Sequence, residues 1–149
     1  MKALAIKTPA FLGDTLLRVA LGIMFIAHSV VLKYFTFTLA GTAQYFSSIG
    51  LPAPLAYVVF ALEAIGGVLL VLNIATRWVA LGLVPVLLGA MWVHLGNGWV
   101  FSAPNGGWEY PLFLIVISVV VALQAMAPAA RPLAAGTDRT LRAASRGSE

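Results

Sequence analysis

Four long apolar stretches divide the chain. They run from about Leu16 to Phe35, Leu55 to Ile74, Trp78 to Leu95 and Tyr110 to Met126. Each is close to the ~20 mostly apolar residues that a spanning helix needs. None alternates between apolar and polar positions, as a strand or a membrane β-barrel would. The pattern predicts an all-α fold, a polytopic membrane four-helix bundle.

The segments between these stretches are unequal. Asn73 to Arg77 is a tight turn, whereas residues 36–54 form a longer loop. Within that loop, apolar residues recur at helical spacing beside polar ones, at Leu39, Ala43, Phe46 and Ile49. This spacing predicts a short amphipathic interfacial helix between the first two spans. We therefore divide the chain into an N-terminal segment (1–15), a four-helix domain (16–126) and a mobile Arg-rich tail (127–149).

Composition excludes a soluble domain. The chain has 149 residues, of which 61% are apolar and 9% charged, against about 25% charged in ordinary soluble domains. Residues 34–62, 78–108 and 110–130 contain no Asp, Glu, Lys or Arg. A net charge of +4 therefore does not indicate nucleic-acid binding, and the expected partner is the lipid bilayer.

The basic residues predict the orientation. With the N-terminus in the cytoplasm, all nine basic residues except Lys33 lie on the cytoplasmic side, as the positive-inside rule requires. Both termini are then cytoplasmic. We expect Arg18, one turn into the first helix, and Arg77, in the turn, to reach lipid phosphate.

Cysteine is absent. The chain therefore cannot form disulfides, carry out thiol redox chemistry or ligate an iron–sulfur cluster through thiolates. If it takes part in electron transfer, a bound cofactor or a partner must supply the redox centre. Any enzyme activity would then belong to a complex in which this chain is a non-autonomous subunit.

Glu63 is the strongest functional signal. It lies near the middle of the second span, where an ionised carboxylate costs at least ~2.5 kcal/mol unless it faces protein or water. Gly66, Gly67 and Leu70 leave the same helix face small. The functional interpretation is a proton carrier, cation site or cofactor contact. The structural alternative is a buried hydrogen bond or a partner for a basic side chain.

Four further ionisable residues fall at similar depth in the outer half of the bundle: His28, Lys33, His94 and Glu109. Together with Glu63 they supply two imidazoles and two carboxylates, which suit a proton relay, a polar quinone pocket or a metal site. His28, His94 and Glu63 are the metal candidates, although no tight His-x-x-x-His spacing supports them. Lys33 could neutralise Glu63 or Glu109, or hold an anionic substrate. The helix dipole alone could also explain Glu109 at a helix start.

The order and spacing of several short motifs resemble the DoxX family. The resemblance covers about Leu16 to Gln124, with Ser29 and Asn73 standing where the family often has glycine. It rests on Leu17–Gly22 followed by His28 and Lys33, on Gly41–Phe46 followed by Gly50–Pro52, on Glu63 with Gly66 and Gly67, on Thr76–Arg77, on His94, and on Gly107–Pro111.

This resemblance implies a four-helix protein of the bacterial inner membrane. Family members are described as membrane subunits of oxidoreductase assemblies: one branch passes electrons from thiosulfate to quinone, and another associates with redox-defence enzymes in mycobacteria. The hypothesis is then a subunit that binds quinone and soluble redox proteins. Glu63 and His94 would transfer quinol protons, while His28, Lys33 and Glu109 would bind the ligand.

Two other functions stay open. Intramembrane Glu and His residues also suit a small proton-coupled transporter, or a protein that binds metal ions or solutes. With four spans per chain, a transporter would require a homodimer. The Arg-rich tail alternatively suits a membrane scaffold that recruits soluble partners.

Overall fold

The computed structural model describes residues 9–126, with side chains from residue 11 onward. Within these residues the chain forms helices joined by turns and loops, and no strand, so the predicted all-α fold is confirmed. In chain order the elements are α1 (Pro9–Ile26), which runs on as a π-helical segment (Ala27–Thr36), α2 (Leu39–Ser48), α3 (Pro54–Val71), α4 (Thr76–His94) with a closing 3₁₀ turn (Leu95–Asn97), and α5 (Glu109–Met126).

Four helices are long and apolar enough to cross a membrane, as predicted: Phe11–Thr36, Pro54–Val71, Thr76–Asn97 and Glu109–Met126. The first helix starts at Pro9 rather than near Leu16. Asp14 is exposed there, so it does not interrupt the helix. The segment predicted as an N-terminal extension is thus partly helical, whereas the predicted tail, 127–149, lies outside the described residues.

Helix α2 occupies the position predicted for the interfacial helix. Thr38 caps it, because its Oγ1 accepts a hydrogen bond from the Gly41 amide at 3.0 Å, a common arrangement at helix starts. We call the end of the bundle that carries α2 and residues 98–108 the loop end. The opposite end, at residues 72–75, is the turn end, where Asn73 and Ala75 adopt positive φ angles of 60° and 48°.

Helices α1 and α3 touch through their backbones. A Cβ added at Gly67 would lie 2.7 Å from the Gly22 carbonyl oxygen, and one added at Gly22 would lie 2.7 Å from the Gly67 carbonyl oxygen. Small residues permit this close approach between membrane helices. On the neighbouring face, Gly66 accommodates the Leu83 side chain of α4. The paired glycines of α3 therefore set its position between two helices.

The interior is filled by aliphatic side chains and one aromatic ring, and α5 packs mainly against α4. Large apolar side chains also cover the outside: Leu16 is 71% exposed and Ile65 61% exposed. In water this distribution would be unfavourable, whereas in a bilayer these side chains contact acyl chains. The buried core cluster comprises Leu21, Phe25, Leu70, Ala80, Leu83, Leu87, Leu114, Val121 and Ala122.

Arg18 closes the turn end of α3. Its Nη1 donates to the carbonyl oxygens of Leu70 and Val71, the latter at 2.9 Å. These carbonyls belong to the last turn of a helix, where intrahelical donors run out and positive charge is favoured. Arg18 is thus engaged with protein carbonyls, where the sequence predicted lipid phosphate. Arg77 instead lies over the Trp78 ring, 4.4 Å from its centroid.

The π-helical segment Ala27–Thr36 was not predicted. Its wider winding is visible at its end, where the Phe37 amide donates to the Leu32 carbonyl, five residues back, at 2.8 Å. π-Helical turns are rare in proteins, and those that occur are often found at functional sites. This one carries both His28 and Lys33, so its winding sets the direction in which those two side chains leave the helix.

Candidate functional site

Lys33 and Glu63 form an ion pair between α1 and α3. Lys33 Nζ donates to Glu63 Oε2. The pair is sheltered, with the Glu63 side chain 8% exposed and that of Lys33 18% exposed. Of the two partners that the sequence left open for Lys33, the structure selects Glu63. An ion pair removed from water in this way is costly to break from one side, because the remaining charge has no partner.

His28 lies one turn before Lys33 and faces α5. Its Nδ1 is 3.1 Å from the Met24 carbonyl oxygen. Because a carbonyl oxygen only accepts hydrogen bonds, this contact assigns the proton to Nδ1. In the neutral ring, Nε2 then carries the free lone pair. The imidazole stacks on Tyr110, with 5.9 Å between ring centroids and 24° between planes.

His94 ends α4 and binds the loop that follows. Its Nδ1 is 3.2 Å from the Gly106 carbonyl oxygen. The Asn97 amide nitrogen donates to the same oxygen at 2.9 Å and to the Asn105 carbonyl at 3.1 Å. The same carbonyl argument places the His94 proton on Nδ1. Nε2 is again the nitrogen that can accept a proton.

Glu109 begins α5 and closes residues 98–109 into a compact loop. Its Oε1 accepts from the Phe101 amide at 2.8 Å, while its own amide donates to the Trp99 carbonyl at 3.1 Å. Gly107 is required beside it, because a Cβ there would lie 2.2 Å from the Val100 carbonyl oxygen. Part of the Glu109 carboxylate is therefore committed to holding the loop.

Two clefts open at the loop end. The aromatic cleft, about 460 Å³, is lined by Trp99, Phe101, Glu109, Tyr110, Leu112, Phe113 and Val116. The amide cleft, about 430 Å³, is lined by Tyr45, Ile49, Trp92, Val93, Asn97 and Asn105. Both volumes are within the range of small-molecule sites.

The DoxX family matches residues 13–96. This chain belongs to the DoxX family. One relative is named "Putative oxidoreductase CatD" in Bacillus subtilis (strain 168). It is 41% identical over 114 residues, which cover 75% of this chain and 78% of the relative. The comparison with solved structures gives no match.

The DoxX match contains most of the candidate residues but stops before α5. His28, Lys33, Glu63 and His94 fall within residues 13–96, whereas Glu109 lies beyond them. The resemblance read from the sequence is thus confirmed for the family. The four membrane-spanning helices associate this DoxX protein with a lipid bilayer.

The five candidate residues of this DoxX protein are divided among three places and do not form one shared pocket. Lys33 and Glu63 pair with each other, His94 binds the loop, Glu109 lines the aromatic cleft, and His28 touches the Tyr110 wall of that cleft. Among the described residues, no group of three or more His, Cys, Asp or Glu side chains could hold a metal ion. His28, His94 and Glu63 are accordingly not gathered as metal ligands.

Sequence reasoning missed Tyr110 and Asn97 as members of this region. Tyr110 was not among the candidate residues, yet it links His28 to the aromatic cleft. Asn97, three residues after His94, carried an available signal, since residues three apart on a helix share a face. Its amide joins His94 to the loop through the Gly106 carbonyl.

Proposed function

We propose that this protein is the membrane subunit of an oxidoreductase complex and that the aromatic cleft binds the head group of a quinone. The observation that carries the proposal is the composition of that cleft, which is lined by four aromatic side chains and one carboxylate. The name of the CatD relative supports an oxidoreductase. Because the chain has no cysteine, a partner or cofactor supplies any thiol or iron–sulfur redox centre.

The cleft residues suit a quinone head group. A quinone ring is flat and apolar, with oxygens on opposite edges, and aromatic side chains bind such rings by stacking or edge contacts. The Tyr110 hydroxyl can donate to a ring oxygen, and the Glu109 carboxylate can accept from a quinol hydroxyl. Trp99 and Phe101 provide apolar walls. A bound quinone would supply two-electron redox chemistry at this place.

The remaining candidate residues act on protons and position. His28 stacks on Tyr110 and holds that ring in place, while its Nε2 is free to accept a proton. We assign proton exchange with the aqueous side to His94 Nε2 and to the Lys33–Glu63 pair. Lys33 Nζ donates to Glu63 Oε2, and intramembrane ionisable groups commonly serve proton transfer.

Binding is tested by quenching of tryptophan fluorescence with a water-soluble short-chain quinone. A variant that keeps Trp99 as its single tryptophan, with Trp78, Trp92 and Trp108 replaced by Phe, reports on the aromatic cleft. A variant that keeps only Trp78 is the matched control, because Trp78 lies at the turn end. We expect saturable quenching of Trp99 and weak, non-saturable quenching of Trp78.

The Tyr110 hydroxyl is tested in the Trp99 variant. Tyr110→Phe should weaken quinone binding about tenfold, equivalent to ~1.4 kcal/mol, whereas Tyr57→Phe, an exposed tyrosine on α3, should leave it unchanged. Equal, non-saturable quenching of Trp99 and Trp78 would reject the aromatic cleft as the quinone site.

The role of the ion pair is tested in membranes with the double variant Lys33→Met/Glu63→Met. This variant should retain the Trp99 signal and lose quinol-linked turnover. Proteoliposome flux driven by a pH gradient would favour transport instead.

A further inference from the structure

The amide cleft differs in chemistry from the aromatic cleft. Tyr45 of α2 and Ile49, the residue that follows α2, supply one wall, and the end of α4 with the following loop supplies the other. No Asp, Glu, Lys, Arg or His is among the residues that line it. Two amides and a phenol are its polar groups, and one indole ring, that of Trp92, stands 58% exposed beside them. None of its lining residues lines the aromatic cleft.

The polar groups of the amide cleft have unused hydrogen-bonding capacity. The Asn97 nitrogen is occupied by two backbone carbonyls, so its Oδ1 remains as an acceptor. The Asn105 side-chain amide and the Tyr45 hydroxyl have no partner within the described part of the chain. An amide can donate and accept, and so can a phenol. The cleft thus offers donors and acceptors without a net charge.

We propose that the amide cleft binds the neutral sugar ring of a carbohydrate. A sugar ring has an apolar C–H face and an edge of hydroxyl groups. The Trp92 ring, with Ile49 and Val93 beside it, can cover the apolar face, and the Asn97, Asn105 and Tyr45 groups can pair with hydroxyls that both donate and accept. Few precisely placed polar groups on an apolar wall are the general pattern of small-molecule sites.

The same residues disfavour a phosphate-containing ligand. Phosphate recognition relies on Arg, Lys or several converging backbone amides, and the amide cleft has no basic side chain. Because the cleft lies at the loop end, beside the interfacial helix α2, its sugar can come from two sources. These are a free sugar in the aqueous phase and the head group of a glycolipid in the adjoining leaflet.

Both sources are tested on the full chain in nanodiscs. Methyl β-glucoside is titrated calorimetrically into protein in phosphatidylcholine nanodiscs. Separately, nanodiscs that contain a minor fraction of either glucosyl diacylglycerol or phosphatidylglycerol are compared by native mass spectrometry for lipid retained on the protein. Each measurement is repeated with Asn105→Ala and Trp92→Leu. The matched controls are Gln44→Ala, an exposed amide of α2 outside the cleft, and Trp78→Leu at the turn end.

Asn105→Ala and Trp92→Leu should each weaken binding about tenfold, and the control variants should bind as the wild type does. Circular dichroism confirms that every variant is helical. Binding of the free glucoside with this dependence supports the proposal and identifies a soluble source. Retention of the glycolipid alone, with the same dependence, supports it and identifies a lipid source. Absence of binding, preferential retention of phosphatidylglycerol, or equal loss in the controls would overturn it.

Discussion

The buried ion pair between Lys33 and Glu63 can be tested by removing its charges one at a time and together. The variants are Lys33→Met, Glu63→Met and the double variant. Methionine approximates the length of both side chains and carries no charge. With only 18% and 8% of the two side chains exposed, either single variant leaves a charged group without its partner and largely out of water.

The expected magnitudes follow from this burial. Breaking a buried ion pair from one side costs about 3–5 kcal/mol, whereas replacing both partners by apolar residues is often neutral or stabilising. We therefore expect each single variant to lose about 3–5 kcal/mol in free energy of unfolding and the double variant to lie within ~1 kcal/mol of wild type. The coupling energy between the two positions, which is the sum of the two single losses minus the double loss, should then be at least ~5 kcal/mol.

The assay is equilibrium unfolding by sodium dodecyl sulfate in mixed micelles, followed by tryptophan fluorescence. Asp14→Asn is the control for loss of a charge, because Asp14 is exposed on α1 and should change stability by no more than ~0.5 kcal/mol. Single-variant losses below ~1 kcal/mol that simply add in the double variant would show that Lys33 and Glu63 do not interact.

Two further predictions follow from the helix contacts and the topology. Gly67→Ala should destabilise the protein by about 1–3 kcal/mol, as overpacking generally does, because its Cβ would lie 2.7 Å from the Gly22 carbonyl oxygen. Gly82→Ala is the control, since a Cβ there would have nothing within 4 Å, and it should be neutral or stabilising in the same unfolding assay. Equal effects of the two substitutions would contradict the close contact between α1 and α3. The absence of cysteine allows single-cysteine topology mapping in whole cells. A membrane-impermeant maleimide added outside should label Ser102→Cys at the loop end and spare Ile74→Cys at the turn end, and the reverse pattern would invert the predicted orientation.

The sequence predicted the spans because membrane insertion depends on local hydrophobicity. A stretch of about 20 mostly apolar residues is apolar wherever its neighbours lie, and hydrogen bonding within the segment makes it helical. The same locality explains why the amphipathic helix at Leu39–Ser48 was predicted, since its period is visible in the chain itself. The start of α1 was placed near Leu16 rather than at Pro9 because the apolar run begins after Asp14, although Asp14 is an exposed residue within the helix.

The partners of the ionisable residues were decided by the tertiary structure. The sequence placed Lys33, Glu63, His28, His94 and Glu109 at similar depth, yet depth along a helix says nothing about rotation around it. The close backbone contact of Gly22 with Gly67 and the π-helical winding of Ala27–Thr36 set that rotation. They direct Lys33 to Glu63 and His28 to Tyr110. Local hydrophobicity determines which residues enter the membrane, and helix-to-helix packing determines which of them meet.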